Sequence, residues 1–201
     1  MRVTLKKQGA GEGRARRRLT AMARVQAAAL DLFERHGFAG VSIEQIAAAA
    51  EVGAATIYRH FGTKERIVLW DEYDPLLLAA LTRELAERPV LEAAPRALAS
   101  GLAGVYREDR VRILRRARLI RASPALEQAA AADQRALQAA LAGVLRSTGH
   151  ARDDLAAAVF AGAITAALLA GVDRWLDRDG REPLARSLAA AFDRLRRLAD
   201  A

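Results

Sequence analysis

Between residues 54 and 64 the chain carries Thr56, Tyr58, Arg59, His60 and Lys64 behind two alanines, Ala54 and Ala55. Hydroxyl, imidazole, guanidinium and ammonium groups on one short segment share one chemistry, hydrogen bonding to phosphate oxygens, and an arginine also reaches a guanine edge. Two small residues at the leading edge let a helix enter a DNA major groove, where their methyls can meet thymine methyls. Ile57 and Phe61, four apart, are the members of this segment expected to turn inward.

Catalytic and metal chemistry have less to stand on. There is no cysteine, so no thiolate nucleophile, disulfide or cysteine zinc site, and His36, His60 and His150 are too scattered for metal-ligand spacing. No nucleophile–base pair or phosphate-cradling glycine loop stands out. Glu108-Asp109 and Asp153-Asp154 read as charge at helix N-termini. The expectation is a protein that is not an enzyme and needs no cofactor or metal. The N-terminus lacks the apolar stretch of a secretion signal, which points to the cytoplasm.

Charge narrows the partner. Thirty-two Lys and Arg against 24 Asp and Glu give +8 over 201 residues, and eight basic residues against Glu12 alone place +7 of it in residues 1–24. A basic arm on a nearly neutral body suits a polyanion, nucleic acid or anionic head groups, although a solubilising tail reads the same way. Arg16, Arg17 and Arg18 are candidates for minor-groove or phosphate contacts, or for diffuse ones.

The elements that position these groups are helices. Ala, Leu, Arg and Glu dominate, Gly and Pro are sparse, and no period-2 run of Val, Ile and Thr appears, so the chain reads as all-α. Residues 1–18, with Gly9, Gly11 and Gly13, read as a basic flexible arm. Thr20 can cap a first helix that places Val25, Ala29, Leu32, Phe33 and His36 on one stripe, ended by Gly37 with Phe38 packing back. Ser42-Ile43-Glu44-Gln45 is a capping box that opens a helix over about 42–50. Three residues, 51–53, lead into the segment at 54–61, and Thr63 can cap the next helix. Further helices are expected near 64–73, 75–88, 95–106, 109–122, 124–147, 153–178 and 183–199, with prolines at starts and breaks.

Two short helices joined by a three-residue turn form a helix-turn-helix pattern over 42–61. With Ser42-Ile43-Glu44-Gln45-Ile46-Ala47, Val52, Thr56-Ile57-Tyr58-Arg59-His60-Phe61 and Thr63-Lys64-Glu65, the chain resembles the TetR family of bacterial transcriptional regulators from about Thr20 to Val68. The resemblance implies a three-helix DNA-binding domain over 19–66, with Ser42, Thr56, Tyr58, His60 and Lys64 as phosphate and groove contacts. It also implies an effector-binding and dimerisation domain over 67–201. Two positions depart from the family pattern, Glu51 where Gly is usual and Gly53 where Ser or Thr is usual. Glu51 would have to adopt positive φ, and Gly53 has no hydroxyl to offer a phosphate.

In the second domain, residues 155–172 carry no charge. Eighteen helical residues span roughly 27 Å, close to the ~30 Å of a bilayer core, but the high Ala content and charged flanks favour a soluble helix covered on all sides. Ala161, Gly162, Ala166 and Ala170 permit close approach, and Leu184, Leu188, Ala191, Phe192, Leu195 and Leu198 share a face of the last helix. The resemblance implies that the last two helices pair with their mates, placing Ala161, Gly162, Ala166, Leu169, Leu188, Phe192 and Leu195 in a dimer interface. Trp70, Tyr73, Leu77, Tyr106, Arg110, Leu114, Arg118, Phe160, Ile164 and Trp175 are candidate pocket residues, most of which would serve equally as core. An arginine row, Arg107, Arg110, Arg118 and Arg121, either meets an anionic ligand or forms an ion-paired face. The stretch 107–126 with Trp175 and the 180–184 turn resembles regulators of this family that bind acyl-CoA-like ligands.

The expected function is therefore a homodimeric repressor that binds a palindromic operator in double-stranded DNA and is released by a small-molecule effector. The ligand would act by shifting the helix at 64–73. The alternative is a non-specific architectural nucleic-acid binder, which would show steep salt dependence and no preferred sequence.

Overall fold

The computed structural model describes residues 3–71 and 74–199; the side chains of 3–12, 14–16, 74, 75 and 102–108 lie outside the description. The described residues form helices only: α1 (Val3–His36), α2 (Ile43–Ala49), α3 (Ala54–His60), α4 (Lys64–Leu69), α5 (Asp74–Leu85), α6 (Val90–Ala122), α7 (Pro124–Ser147), α8 (Asp154–Asp177) and α9 (Leu184–Ala199). They fall into two compact units. Unit 1 is 1–70 with 122–126, and unit 2 is 71–121 with 127–201. The boundary near residue 66 expected from sequence thus lies at 70–71, and a short piece of the α6–α7 junction joins unit 1.

In unit 1, local signals set the helix ends. Gly37 takes φ +75 and its amide reaches the Phe33 carbonyl at 2.9 Å, while Phe38 packs its ring 4.9 Å from that of Phe33. The capping box forms as spaced: the Gln45 amide donates to the Ser42 hydroxyl at 3.3 Å and the Ser42 amide to the Gln45 side chain at 2.8 Å. Glu51 adopts φ 53 in the α2–α3 turn, the left-handed geometry usually left to glycine and sustained here by the helices on either side. Val25, Ala29, Leu30, Phe33, Ile46, Ile57 and Ile67 are buried and form the core of this unit. His36 is exposed rather than part of the apolar stripe.

Two ends of α4 are tied down. At its start, Lys64 Nζ donates to the carbonyls of Phe38 at 2.8 Å and Val41 at 3.2 Å and lies 4.6 Å from the centre of the Phe38 ring. At its other end, the fully buried Gln26 donates Nε2 to the carbonyls of Ile67 at 2.9 Å and Trp70 at 2.8 Å. Those carbonyls belong to the last turn of α4, where a helix has no partners of its own.

Two expectations change. The backbone is helical from Val3, where the sequence reads as a flexible arm over 1–18; once a helix is nucleated each added residue brings one hydrogen bond, and Ala, Arg, Lys and Gln add little to the cost of about 1 kcal/mol per glycine. The helices expected at 95–106 and 109–122 are one helix, α6, with Pro95 in its second turn. Pro95 forgoes the hydrogen bond to the Leu91 carbonyl and crowds that carbonyl with its ring, a local cost near the start that the rest of α6 outlasts.

In unit 2, α8 and α9 pack together. Gly171 makes this possible: a Cβ there would stand 2.7 Å from Leu188 Cδ2 and 2.9 Å from its Cα. The inward stripe of α8 is Ala157, Ala161, Ile164, Gly171 and Trp175, repeating at helical spacing. A window of α8 has a mean hydropathy of 2.2, and one third of it is buried inside the chain. The length and composition match a membrane span, yet the buried stripe is that of a core helix.

Candidate nucleic-acid interface

Helix α3 is held by its inner face. Ile57 is fully buried and Phe61, just past the helix end, is 8% exposed. With that face anchored, Ala55, Tyr58 and Arg59 are exposed, and Ala54, Thr56 and His60 are half-buried. Ser42, at the start of α2, is exposed as well. Gly53 caps α3 with φ −70 and no side-chain hydrogen bond, so the hydroxyl common at this position is absent, as its identity implies. Arg17 and Arg18 are exposed on α1, while the side chain of Arg16 lies outside the described residues.

The polar groups of this surface are hydrogen-bonded to one another more than expected. The Tyr58 hydroxyl donates to Glu44 Oε1 at 3.1 Å. Hydrogen bonds from Glu44's own amide, the Ser42 hydroxyl and Tyr58 hold the Glu44 carboxyl below the usual glutamate range. In return Glu44, as hydrogen-bond acceptor and negative charge, pushes the Tyr58 phenol up. Lys64, expected at a phosphate, directs its ammonium to the α1–α2 turn, because three carbonyls there lack helical partners. Glu44 and Gln26 were not singled out from sequence. Gln26 had a signal, a lone amide on the stripe shared with Ala29, Leu30 and Phe33; Glu44 had none, since its partner is fourteen residues away across a turn.

The candidate pocket residues do not assemble into one site. Leu77 and Ile164 line a wholly apolar cavity of about 70 Å³, together with Leu78, Leu81, Leu98, Leu137 and Leu141. Trp175 is core: fully buried, it donates Nε1 to the Glu182 carbonyl at 3.0 Å. Trp70 sits at the end of α4, its ring 6.1 Å from that of Phe61. Phe160 is 37% exposed on α8. Tyr73 and the side chain of Tyr106 lie outside the described residues.

Of the arginine row, the side chain of Arg107 lies outside the described residues, and the other three meet carbonyls or acids of their own unit. Arg110 donates to the Gly180 carbonyl, Arg118 pairs with Asp179 at 3.1 Å, and Arg121 pairs with Asp177 at 2.6 Å. These partners lie at the C-terminal end of α8, where carbonyls and acids concentrate negative potential. Leu114 packs against the same turn, near Gly180, whose φ is +64.

The expected dimer residues divide. Ala161, Leu188 and Phe192 are at most 2% exposed and face the protomer's own core, which corrects their assignment to an interface. Helix α8 has two apolar stripes: Ala161 belongs to the inward one, and Leu188 and Phe192 are buried residues of α9, which packs on α8. Ala166 and Leu169 are exposed, Gly162 and Leu195 half-buried. A Cβ on Gly162 would meet nothing within 4 Å. With Leu155 and Val159, at 74% and 59% exposure, Gly162, Ala166 and Leu169 make the outward stripe.

Known proteins agree with this architecture. The family model for bacterial regulatory proteins of the tetR family matches residues 26–69, and the MftR C-terminal domain model matches residues 88–199. MftR of Mycobacterium tuberculosis, whose name ties it to mycofactocin biosynthesis, is 29% identical over 89% of this chain and 90% of its own. Among solved structures, SmeT bound to triclosan superposes with a TM-score of 0.58 at 17% identity, covering 88% of this chain and 90% of SmeT. FadR of Thermus thermophilus, a repressor bound to lauroyl-CoA, gives 0.51 at 24% identity over 87% and 92%. The chain therefore belongs to the TetR family of bacterial transcriptional regulators, with a C-terminal domain of the MftR kind.

Proposed function

We propose that this regulator is a homodimeric repressor that binds palindromic operator DNA through α3 and is released when a small apolar or acyl-bearing molecule enters unit 2. The observation that carries the DNA reading is the geometry of α3: an inner face fixed by Ile57 and Phe61, and an outer face of Ala55, Tyr58 and Arg59 that no other part of unit 1 covers. Ala54, Ala55, Thr56 and His60 complete the groove-facing set, and Arg17 and Arg18 add phosphate contacts. Lys64 contributes by holding the α1–α2 turn beneath Ser42.

Reading two half-sites one turn of DNA apart requires recognition helices about 34–36 Å apart in a dimer, and the outward stripe of α8 is the surface we assign to joining the two copies. The same stripe is a contiguous apolar patch of the kind that marks a protein or membrane interface, and we assign it to the second copy. For the effector, the support is the apolar cavity, the lauroyl-CoA bound by the FadR relative and the triclosan bound by SmeT. At about 70 Å³ it is well below the ~300–1,000 Å³ of ligand pockets. A ligand must widen it, and a ligand that favours a widened state shifts the protein toward that state. The arginine row, committed to the end of α8, is free for an anionic head group only if those pairs open.

Binding of the full chain to duplexes from its own upstream region, with and without lauroyl-CoA, tests this. The proposal expects a preferred palindrome and a 5- to 150-fold weakening by ligand, roughly the usual range of allosteric coupling. Equal affinity for random DNA would remove the operator reading and favour the architectural alternative.

A further inference from the structure

The exposed side of the helix-turn-helix converges on one carboxylate. Glu44, in the first turn of α2 and two residues after the Ser42 cap, accepts from the Tyr58 hydroxyl of α3 at 3.1 Å. The Tyr58 hydroxyl is a neutral donor that favours the ionised carboxyl without cancelling its charge, so a negative charge stands on this surface, oriented by Tyr58. Each hydroxyl has one proton. Phosphate oxygens only accept, so while Tyr58 donates to Glu44 it cannot donate to the DNA backbone.

A fixed anion on a face turned toward a polyanion is unfavourable unless it meets a donor. In the major groove the donors are the exocyclic amines of the bases, cytosine N4 and adenine N6. Adenine places the N7 acceptor beside its amine, which repels a carboxylate; cytosine has no acceptor of its own there. We propose that Glu44 is a specificity-determining residue that accepts a hydrogen bond from a cytosine N4 amine in each operator half-site, with Tyr58 as the positioning donor that holds its carboxylate in place. This rests on α3 being the recognition helix, and it changes the part played by Tyr58 from phosphate contact to alignment.

The test is selection of duplexes from a library randomised over both half-sites by the full-length wild type, Glu44→Ala, Glu44→Gln and Tyr58→Phe. Selected duplexes and their single-base variants are then titrated at two salt concentrations. Circular dichroism checks that each exposed-site variant keeps its helices. The wild type should fix cytosine at one position per half-site. Glu44→Ala should lose about tenfold in discrimination at that position, leaving the other positions and the salt slope unchanged. Glu44→Gln should move the preference there toward adenine, whose N6 and N7 match an amide. Tyr58→Phe should blur the same position to a smaller degree and add nothing in a Glu44→Ala background. A Glu44→Ala motif identical to the wild type at every position overturns the proposal. So does a uniform gain in affinity for all duplexes, which would make Glu44 a mere repeller of phosphate. If the wild type selects no motif, the recognition-helix reading itself falls; in the other two failures the wild-type motif survives.

Discussion

The outer face of α3 and the arginine row of α6 read alike in the sequence, as polar and basic stripes on helices, and they have opposite fates. On α6, Arg110, Arg112, Arg116, Arg118 and Arg121 each meet an acid or a carbonyl of their own unit. On α3, Arg59 is exposed and Tyr58 half-exposed, and among the described residues the Tyr58 hydroxyl meets an acid on α2. Density of positive charge therefore does not locate a polyanion site. A guanidinium facing the carbonyl end of a neighbouring helix is already neutralised, whereas a sparsely charged helix with small residues at its edge remains available to a groove.

The contrast can be broken or sharpened by substitution, the largest effect first. Trp175→Ala, at the fully buried centre of unit 2, should cost about 3–5 kcal/mol in denaturant unfolding; a loss below about 1 kcal/mol would mean that the 175–184 turn does not depend on the indole. Gln26→Leu leaves the last carbonyls of α4 without their buried donor and should cost about 1–3 kcal/mol in unit 1, where an unchanged midpoint would show that α4 holds without it.

Arginine substitutions separate the two stripes directly. Arg59→Ala should leave stability within about 0.5 kcal/mol yet lower the salt slope of DNA binding by about one unit. Arg118→Ala, from an exposed pair, should change stability by at most about 1 kcal/mol and the slope not at all. Lys64→Ala should weaken DNA binding with no change in slope, since its ammonium is bound to carbonyls; a slope loss of about one would restore it as a phosphate contact.

The smallest expected effect is in titration. Glu44 raises the Tyr58 phenol, so the neutral phenol is favoured in the folded protein; its contribution is present below the ordinary tyrosine value near 10 and is lost as pH rises through the raised one. The Glu44 carboxyl runs the other way: lowered in the fold, its contribution is present above about 4.3 and is lost on acidification. Glu44→Gln removes the negative charge, so tyrosinate absorbance assigned by difference against Tyr58→Phe should appear at lower pH than in the wild type.

Legibility followed the range of the interaction. The Ser42–Gln45 box, the Gly37 stop, the Thr63 cap and the positive φ of Glu51 are decided within a few residues, and all were readable. So was the motif at 42–61. The two apolar stripes of α8 were visible, but which of them α9 closes depends on Gly171 admitting Leu188, a tertiary fact, and so Ala161, Leu188 and Phe192 were placed on the wrong side. The same limit hid the hydrogen bond between Glu44 and Tyr58 and the union of two expected helices into α6. The arginine row could not be assigned until the end of α8 was seen beneath it.

The central claim, that this face of α3 reads sequence rather than charge alone, is tested most directly by competition. The full-length protein bound to its best-selected palindrome is challenged with random duplex at about 0.15 M salt. The account predicts that displacement needs at least about 10³-fold excess of random DNA, and that Arg59→Ala narrows this margin. Displacement at near-equal concentrations, with a steep salt dependence for both duplexes, would contradict it.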